Sequence, residues 1–268
     1  MPELPEVETI RRELEPQIVG ATIVDATSHE SAKFRPARDA VGGRFTASTR
    51  RGKYLLLGLH DDRELVIHLG MTGQLHVDPP TSSSTDPYTR ASWHFDDGRT
   101  LVFRDVRRFG RIRVVPTGEH ADITTLAALG PEPLGPDFTA EGLWQAMRGS
   151  KRRVKTQLLS QRPVAGVGNI YADEALWRAR VYPAARTLTR SQAERLHRTI
   201  IEVLQAGVDN GGTTLRDYRT VAGDEGSNQH YLDCYGRAGE PCPRCATALR
   251  SQVWDARTTT FCPRCQPR

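Results

Sequence analysis

Apolar residues near the start of the chain recur at helical spacing, whereas the next hundred residues carry short apolar runs. The spacing from Val7 to Ile18 predicts a helix over residues 3–18. The short runs are separated by Gly, Asp and Pro, which is typical of strands joined by turns. Strands are predicted at 19–28, 45–49, 54–59, 64–69, 92–95, 100–104 and 111–115. Many short strands in this arrangement favour a β-sandwich or a barrel.

After residue 130 the apolar spacing becomes helical. The Pro- and Gly-rich residues 131–137 predict a linker. Helices are predicted at 139–148, 154–160, 170–180 and 191–206. Ser191 and Glu194 have the spacing of a capping box at the start of the last helix. Residues 211–231 are polar and rich in Gly and Asp, and a loop of that length usually has a function or is disordered.

Composition narrows the class of protein. The chain has 268 residues, of which 38% are hydrophobic and 26% are charged, and this excludes wholesale disorder. No apolar run reaches the roughly 18 residues of a membrane helix. The acidic, then basic N-terminus is unlike a signal peptide, so we expect the protein in the cytoplasm. Five cysteines in a cytosolic chain argue against a disulfide framework.

Positive charge is concentrated in the second half of the chain. The net charge of +5 divides into −1 over residues 1–130 and +6 over residues 131–268. A basic half indicates a polyanion partner, most often nucleic acid, although such an excess is more often only a solvated face. Lys53 is one of only four lysines. It begins an apolar strand, where an ordinary hairpin-end charge is the simpler interpretation.

Four of the cysteines form two C-x2-C pairs with 16 residues between them: Cys242, Cys245, Cys262 and Cys265. Two such pairs complete a tetrahedral thiolate set, so we predict one structural Zn²⁺ ion. A disulfide pair or a redox motif would be the alternatives. Cys234 is left over as a buried or free thiol. A zinc finger on a basic domain favours nucleic acid, although many zinc ribbons bind protein.

The N-terminus carries candidate chemistry at Pro2. A small second residue allows removal of Met1, which would leave a free secondary amine. Such an amine can attack an aldehyde-like carbon to give an iminium, with Glu3 and Glu6 beside it as proton donors or acceptors. In the structural alternative, Pro2 opens a helix and the glutamates favour its N-terminal dipole.

Several motifs, taken together in order, resemble the bacterial formamidopyrimidine-DNA glycosylase family. They are PELPEVE from Pro2, RRGKYL from Arg50, HLGMTG from His68, RRFG from Arg107, VAGVGNIYADEAL from Val164, GGTT from Gly211, YGRAG from Tyr235 and the finger up to Gln266. The resemblance implies an α+β, multidomain fold. An N-terminal β-sandwich with flanking helices would span 1–130, and a linker would follow at 131–137. A helix–two-turn–helix domain at 138–234 would include a lesion-capping loop at 211–231, and a zinc finger with four cysteine ligands would occupy 235–268. DNA would lie in the cleft between the domains.

The resemblance also implies a bifunctional glycosylase and lyase of base-excision repair. Pro2 would attack C1′ of an oxidised purine nucleotide, and Glu3 would protonate the sugar ring oxygen. Lys53 would contact phosphates around the lesion and assist base removal. Glu6 and Glu174 match acidic residues near the same pocket. The implied partner is double-stranded DNA with oxidised bases or abasic sites, bound by a monomer associated with the nucleoid.

Further matches concern the grip on DNA. His68, Asn169 and Arg257 match residues that hold phosphates flanking the flipped nucleotide. Lys155 would also reach a phosphate, or else lie on a solvated helix face. Three side chains match those that fill the hole left by the extruded base, and core packing is the alternative for the two apolar ones. These three are Met71, Arg107 and Phe109.

The chain departs from the family pattern in places. Ala256 stands where many relatives have Gly, and Ala resists a positive φ. Other departures are Ser160 for Asp, Pro163 for Val and Val106 for Pro. An enzyme resembling endonuclease VIII, for oxidised pyrimidines, and a non-catalytic damaged-DNA binder are the alternative functions. Leu4 and the long loop after Gly211 favour the purine enzyme, and the intact Pro2 argues against a mere binder.

Overall fold

The computed structural model describes residues 1–80 and 86–268, which form two compact units. One unit comprises Met1–Ala127 with Asn210–Gln229, and the other comprises Ala128–Asp209 with His230–Arg268. This grouping differs from the expected division, which placed the loop 211–231 with the helical domain. Hydrogen bonds to two helix glutamates explain the difference, because Glu6 and Glu13 accept backbone N–H groups of that loop. The functional boundaries, including the linker, stay a prediction.

Two four-stranded antiparallel sheets make up most of the first unit, which confirms the β-sandwich. The sheet orders are β1-β6-β7-β5 and β2-β3-β4-β8. The strands are β1 Ile23–Ser28, β2 Phe45–Arg51, β3 Tyr54–Leu59, β4 Arg63–His68, β5 Gly73–Asp78, β6 Thr89–Phe95, β7 Thr100–Asp105 and β8 Arg111–Pro116. Helix α1, Leu4–Ile18, precedes them, and the short helix α2, Thr124–Ala127, follows.

The apolar face of α1 lies in the main core of this unit. Val7, Ile10, Leu14 and Ile18 are fully buried in one cluster with strand residues such as Trp93. Burying a side chain of this size contributes about 1.5–3 kcal/mol. The sheets and α1 therefore form one rigid support for the residues at the chain's N-terminus.

Two strand predictions for this unit need correction. The first strand begins at Ile23 rather than at residue 19, because Gly20 turns the chain with a φ of 93° after α1 ends. The sequence also missed β5, which begins at Gly73 and contains only two apolar residues, Leu75 and Val77. Those two do alternate with polar residues, as a half-buried strand requires.

Helices dominate the second unit. They are α3 Ala140–Arg148, α4 Val154–Leu159, α5 Asn169–Ala179 and α6 Arg190–Asp209. The capping pair of α6 is Thr189 and Gln192, not Ser191 and Glu194. The backbone N–H of Thr189 donates to Gln192 Oε1 at 2.9 Å, and that of Gln192 donates to Thr189 Oγ1 at 3.2 Å.

A short hairpin follows near the C-terminus and was not predicted. Strands β9, Arg250–Trp254, and β10, Arg257–Phe261, pair antiparallel around a two-residue turn. Asp255 and Ala256 have φ values of 51° and 59° there, as a type I′ turn requires. Among the described residues, no helix is both long and apolar enough to cross a membrane.

Candidate active site and DNA-contact residues

Pro2 and the two nearby glutamates lie at the start of α1. Glu3 is the N-cap residue and forms a capping box with Glu6, whose Oε2 accepts the Glu3 backbone N–H at 2.7 Å. Pro2, Glu3 and Glu6 are all buried. Pro2 itself lies before the N-cap, and the proline in the first turn of α1 is Pro5, so Pro2 does not open the helix. The capping box holds the Glu3 and Glu6 carboxylates at the helix start, directly after Pro2 in the chain.

Glu6 also bonds to the loop 210–229 of the same unit. Its Oε1 accepts the backbone N–H of Thr213 at 2.7 Å. The preceding Gly212 has a φ of 84°, and a Cβ there would lie 3.0 Å from Glu6 Cγ. Burial and the Glu6 charge raise the pKa of Tyr218, a buried loop residue. The loop that matches the lesion-capping loop is thus attached to the helix that follows Pro2.

Lys53 lies in the tight turn between β2 and β3. Gly52 has a φ of 55°, and its carbonyl accepts a hydrogen bond from Arg50 at 2.9 Å. Arg50 in turn pairs with Glu8 of α1 at 3.2 Å. Lys53 thus lies at a hairpin end, as the simpler interpretation had it, but at 4% exposure it is not an ordinary solvated charge. The turn holds its ammonium close enough to lower the pKa of His68.

His68 ends β4, and its ring lies 4.7 Å from that of Tyr54. Its Nδ1 accepts the backbone N–H of Gly70 at 3.2 Å, so the proton of the neutral ring is on Nε2. Burial, followed by the charges of Lys53 and Arg111, lowers the pKa of His68 to about 4. A neutral Nε2–H at ordinary pH is a donor suited to a phosphate oxygen.

We expect His68 to stay neutral in the free protein down to about pH 4. In the unfolded chain, His68 takes up a proton near its ordinary pKa of about 6.5, whereas in the folded protein it stays neutral until the pH nears 4. The stability that this site contributes is therefore full above pH 6.5 and falls as the pH drops towards 4. An NMR titration of the imidazole checks this, and Lys53→Met should move the midpoint upward. A midpoint near 6.5 in the unaltered protein would contradict it.

Arg107 and Phe109 lie in an exposed loop after β7. The Phe109 side chain is 45% exposed, so the core-packing alternative is wrong for it. The Arg107 guanidinium lies 4.9 Å from the Phe109 ring centroid. Met71 is half-buried in the loop between β4 and β5. An exposed ring and guanidinium of this kind are the chemistry expected of a wedge in a base stack.

Sequence reasoning missed Asp105, the buried residue that joins these two loops. Its Oδ1 accepts the Thr72 hydroxyl at 2.5 Å, and its Oδ2 accepts the Gly110 N–H at 2.7 Å. The Arg107 N–H also donates to Thr72 Oγ1. A Cβ at Gly70 would lie 2.5 Å from Gly110 N, so only Gly fits there. An acidic residue at a strand end, two residues before the RRFG motif that begins at Arg107, was the available signal.

Asn169 contacts the backbone of Thr258, the residue after Arg257, in the second unit. Asn169 begins α5, and its Nδ2 donates to the Thr258 carbonyl at 3.2 Å. Arg257, the first residue of β10, is exposed. A helix start in contact with a strand that carries an exposed arginine is a favourable arrangement for an anion such as a phosphate.

Lys155 was expected either to reach a phosphate or to lie on a solvated helix face, and the structure places it in neither environment. It is 3% exposed, and its Nζ pairs with Asp173 Oδ1 at 2.7 Å. The solvated-face interpretation is therefore wrong, and the phosphate contact predicted for Lys155 is corrected to a buried ion pair. An isolated lysine in a basic stretch gave no signal for a partner 18 residues away on another helix.

Glu174 of α5 lies beside residues 233–235, where the zinc finger begins. Its carboxylate accepts the backbone N–H groups of Asp233, Cys234 and Tyr235 at 2.7–3.0 Å. Burial raises its pKa, and these hydrogen bonds oppose the shift. The structure therefore gives Glu174 an anchoring role, and its predicted place near the catalytic pocket stays a prediction.

The four cysteines of the two C-x2-C pairs form a site for one structural Zn²⁺ ion. The sulfur atoms of Cys242, Cys245, Cys262 and Cys265 all lie within 4.8 Å of one another. Tetrahedral Zn–S bonds of about 2.3 Å place sulfurs about 3.8 Å apart, so the set fits zinc. Cys234 is a free, fully buried thiol whose Sγ donates to the Thr260 carbonyl, in agreement with the expectation of a buried or free thiol.

Gln266 supports this zinc site and was also missed. Its Oε1 accepts the Cys262 N–H, and its Nε2 donates to the Val181 carbonyl, both at 2.8 Å. Gln266 is 1% exposed. It therefore ties the last C-x2-C turn to the end of α5. Its spacing of four residues from Cys262 was visible, but no sequence rule marks such a position.

Family profiles match the chain in three consecutive parts. The formamidopyrimidine-DNA glycosylase N-terminal domain matches residues 1–112, its H2TH domain matches 129–219, and a zinc finger found in FPG and IleRS matches 239–268. The chain belongs to the formamidopyrimidine-DNA glycosylase family.

Individual members of this family are similar over their whole length. The Deinococcus radiodurans formamidopyrimidine-DNA glycosylase is 46% identical, over 100% of this chain and 98% of that protein. A crystal structure of the MutM (Fpg) protein from Thermus thermophilus has a TM-score of 0.92 at 46% identity, covering 99% and 98% of the two chains. A Lactococcus lactis Fpg mutant, solved with DNA containing Fapy-dG, has a TM-score of 0.92 at 35% identity, with full coverage of both chains.

The departure of this family member at Ala256 gives a stability prediction. A positive φ costs a residue with a Cβ about 1–2 kcal/mol, and the greater chain entropy of Gly offsets part of that. Ala256→Gly should therefore raise the free energy of unfolding by about 1 kcal/mol in a denaturant titration. Ala248→Gly, in extended backbone of the same finger, is the matched control and should lower it. A loss of stability in Ala256→Gly would contradict the turn assignment.

Proposed function

We propose that the protein removes oxidised purines from duplex DNA with Pro2 as nucleophile and then cleaves the strand as a lyase. Family membership makes it a DNA glycosylase of base-excision repair. The observation that carries the residue assignment is the capping box at the start of α1, which fixes Glu3 and Glu6 beside the buried Pro2. We also propose a monomer in the cytoplasm, associated with the nucleoid.

The nucleophile requires removal of Met1, because an amide nitrogen does not attack carbon. The Pro2 amine that remains is secondary, and an ordinary α-amino pKa near 8 leaves a substantial neutral fraction at physiological pH. Its lone pair forms a bond to C1′ of the damaged nucleotide. The bond from C1′ to the base breaks, and the base leaves with that electron pair and takes up a proton.

Opening the sugar ring completes the iminium. The C1′–O4′ bond breaks with its electrons going to O4′, and the Glu3 carboxyl supplies the proton there. The nitrogen, which carries a positive charge after the attack, first loses its N–H proton to the departing base or to water. The lone pair that this restores then forms the C=N bond of the iminium. Loss of a C2′ proton then expels the 3′ phosphate by β-elimination, and a second elimination expels the 5′ phosphate. Water finally hydrolyses the link to Pro2. The products are a one-nucleotide gap flanked by phosphates, the unsaturated aldehyde left from the sugar, and the free enzyme.

The contacts that bind the DNA would come from residues of both units. We assign phosphate contacts to Lys53, the neutral His68, Asn169 and Arg257. Met71, Arg107 and Phe109 would fill the space left by the extruded base, with the Arg107 guanidinium available to the orphaned partner base.

The affinity for DNA should fall steeply as the salt concentration rises, because each phosphate contact releases counterions. Binding titrations at several salt concentrations measure this slope.

Cleavage of defined duplexes tests the proposed function. We expect rapid cleavage opposite cytosine at 8-oxoguanine, slower cleavage at thymine glycol, and none of undamaged DNA. Glu3→Gln should bind the 8-oxoguanine duplex but cleave it far more slowly. A preference for thymine glycol would support the endonuclease VIII-like alternative. Tight lesion binding without any cleavage by the protein lacking Met1 would support the binder.

A further inference from the structure

The ion pair between Lys155 and Asp173 is the most deeply buried charged contact described in the second unit. The two side chains are 4% and 0% exposed, with 2.7 Å between Nζ and Oδ1. Removing two charges from water is costly, and their mutual attraction alone rarely compensates for it. Additional hydrogen bonds to the two ions are needed, so the partners of these bonds indicate what the pair does.

Those bonds go to three consecutive residues of β10. Lys155 Nζ donates to the Thr258 carbonyl at 2.9 Å and to Thr259 Oγ1 at 3.0 Å. Asp173 Oδ2 accepts the Thr260 backbone N–H at 2.9 Å. The pair thus joins α4, α5 and one strand of the finger hairpin. Directional bonds to successive residues fix the position of that strand along its own axis, which apolar contacts alone would not do.

A second contact holds the turn on the other side of Arg257. Asp255 pairs with Arg153 at 3.1 Å and accepts the hydroxyl of Thr156, a residue of α4. The backbone is therefore held two residues before Arg257 and one residue after it, while the Arg257 side chain is exposed. The position that the Arg257 guanidinium can occupy therefore depends on how the β9–β10 hairpin is held.

We propose that Lys155 and Asp173 are positioning residues, which place Arg257 for its phosphate by holding β10 against α4 and α5. Neither ion needs to contact DNA. The inference rests on the proposed function only in taking Arg257 as a DNA contact. It assigns a role to Asp173, which sequence reasoning did not single out, and replaces the surface role predicted for Lys155.

The test compares the zinc-loaded protein with a Lys155→Met/Asp173→Leu double variant. Replacing a buried ion pair by apolar residues of similar volume is often tolerated, so we expect a folded protein with its zinc retained. Amide exchange of residues 257–261 should become at least about tenfold faster, because the strand loses its bonds to both ions. Arg198→Met/Glu202→Leu removes an exposed ion pair of α6 and should leave that exchange unchanged.

DNA binding supplies the second readout, with a duplex that contains an abasic-site analogue. In the unaltered protein, Arg257→Ala should weaken binding about tenfold and reduce the salt slope by about 1. In the double variant, the salt slope of DNA binding should already be lower. Adding Arg257→Ala to it should weaken binding by less than about twofold more, since the effects of residues that act together are not additive. A full tenfold loss there would overturn the proposal.

Other outcomes are also decisive. Unchanged exchange of residues 257–261 in the folded double variant would overturn the proposal. Asp173→Asn keeps an acceptor for Thr260 but removes the charge, so it serves if the double variant does not fold, and it should speed the same exchange. If Arg257→Ala in the unaltered protein changes neither affinity nor salt slope, the DNA contact of the proposed function fails. The exchange measurement still judges whether the ion pair holds β10.

Discussion

Replacing Pro2 with leucine should abolish both base removal and strand cleavage. A large second residue retains Met1, so the reactive amine is lost from its position and replaced by an amide. Without a nucleophile, no iminium forms, and we expect the single-turnover rate on an 8-oxoguanine duplex to fall by at least about 10³-fold. Affinity for the same duplex should stay within a few-fold, because the phosphate contacts are unchanged.

Pro2→Gly is the matched control for this variant. Glycine also permits removal of Met1, and it leaves a primary amine at the same place. We expect partial activity and a covalent intermediate that can still be trapped. Cleavage by Pro2→Leu at the unaltered rate, with Met1 confirmed by mass spectrometry, would contradict the assignment of Pro2 as nucleophile.

Loss of the zinc site should abolish lesion binding. Zinc binding by four thiolates contributes on the order of 10 kcal/mol to the folding of small fingers. The cysteines also belong to a small buried cluster with Trp177 and Leu249, so metal loss should unfold the hairpin that carries Arg257. We expect Cys262→Ala, or chelation of zinc, to weaken binding to an abasic-site duplex by at least about 100-fold.

Cys234→Ala is the control for that experiment, since this thiol is buried but lies outside the metal cluster. It should keep one zinc per chain and bind DNA within a few-fold of the unaltered protein. If Cys262→Ala has lost its zinc and still binds the duplex with unchanged affinity, the claim that DNA binding depends on the folded zinc finger is refuted.

The regular elements of the fold were largely predictable because their apolar spacing is pronounced. Strand β3 was predicted with its observed bounds, and α1 was predicted to within one residue. The hairpin of β9 and β10 was missed because both strands carry mostly polar residues, although the last three residues of β10 are buried. Its stability comes from the zinc cysteines and from contacts distant in sequence, which a local pattern does not contain.

Candidate chemistry was predictable where residue type alone limits the options. The cysteine spacing indicated zinc. Pro2 with its glutamates offered amine chemistry only as a candidate, which the resemblance of the surrounding motifs favoured and which stays a prediction. Supporting residues were not predictable in the same way. Asp105 and Asp173 act through partners 33 and 18 residues away, at Thr72 and Lys155, so their roles follow only from the folded chain.

Trapping with borohydride tests the central claim most directly. The protein is incubated with a duplex that contains one 8-oxoguanine opposite cytosine, and borohydride reduces any iminium to a stable amine. The account predicts a covalent protein–DNA product whose linked peptide begins at Pro2, with Met1 absent. A product linked through any lysine, or no product when a control glycosylase is trapped normally, would contradict it.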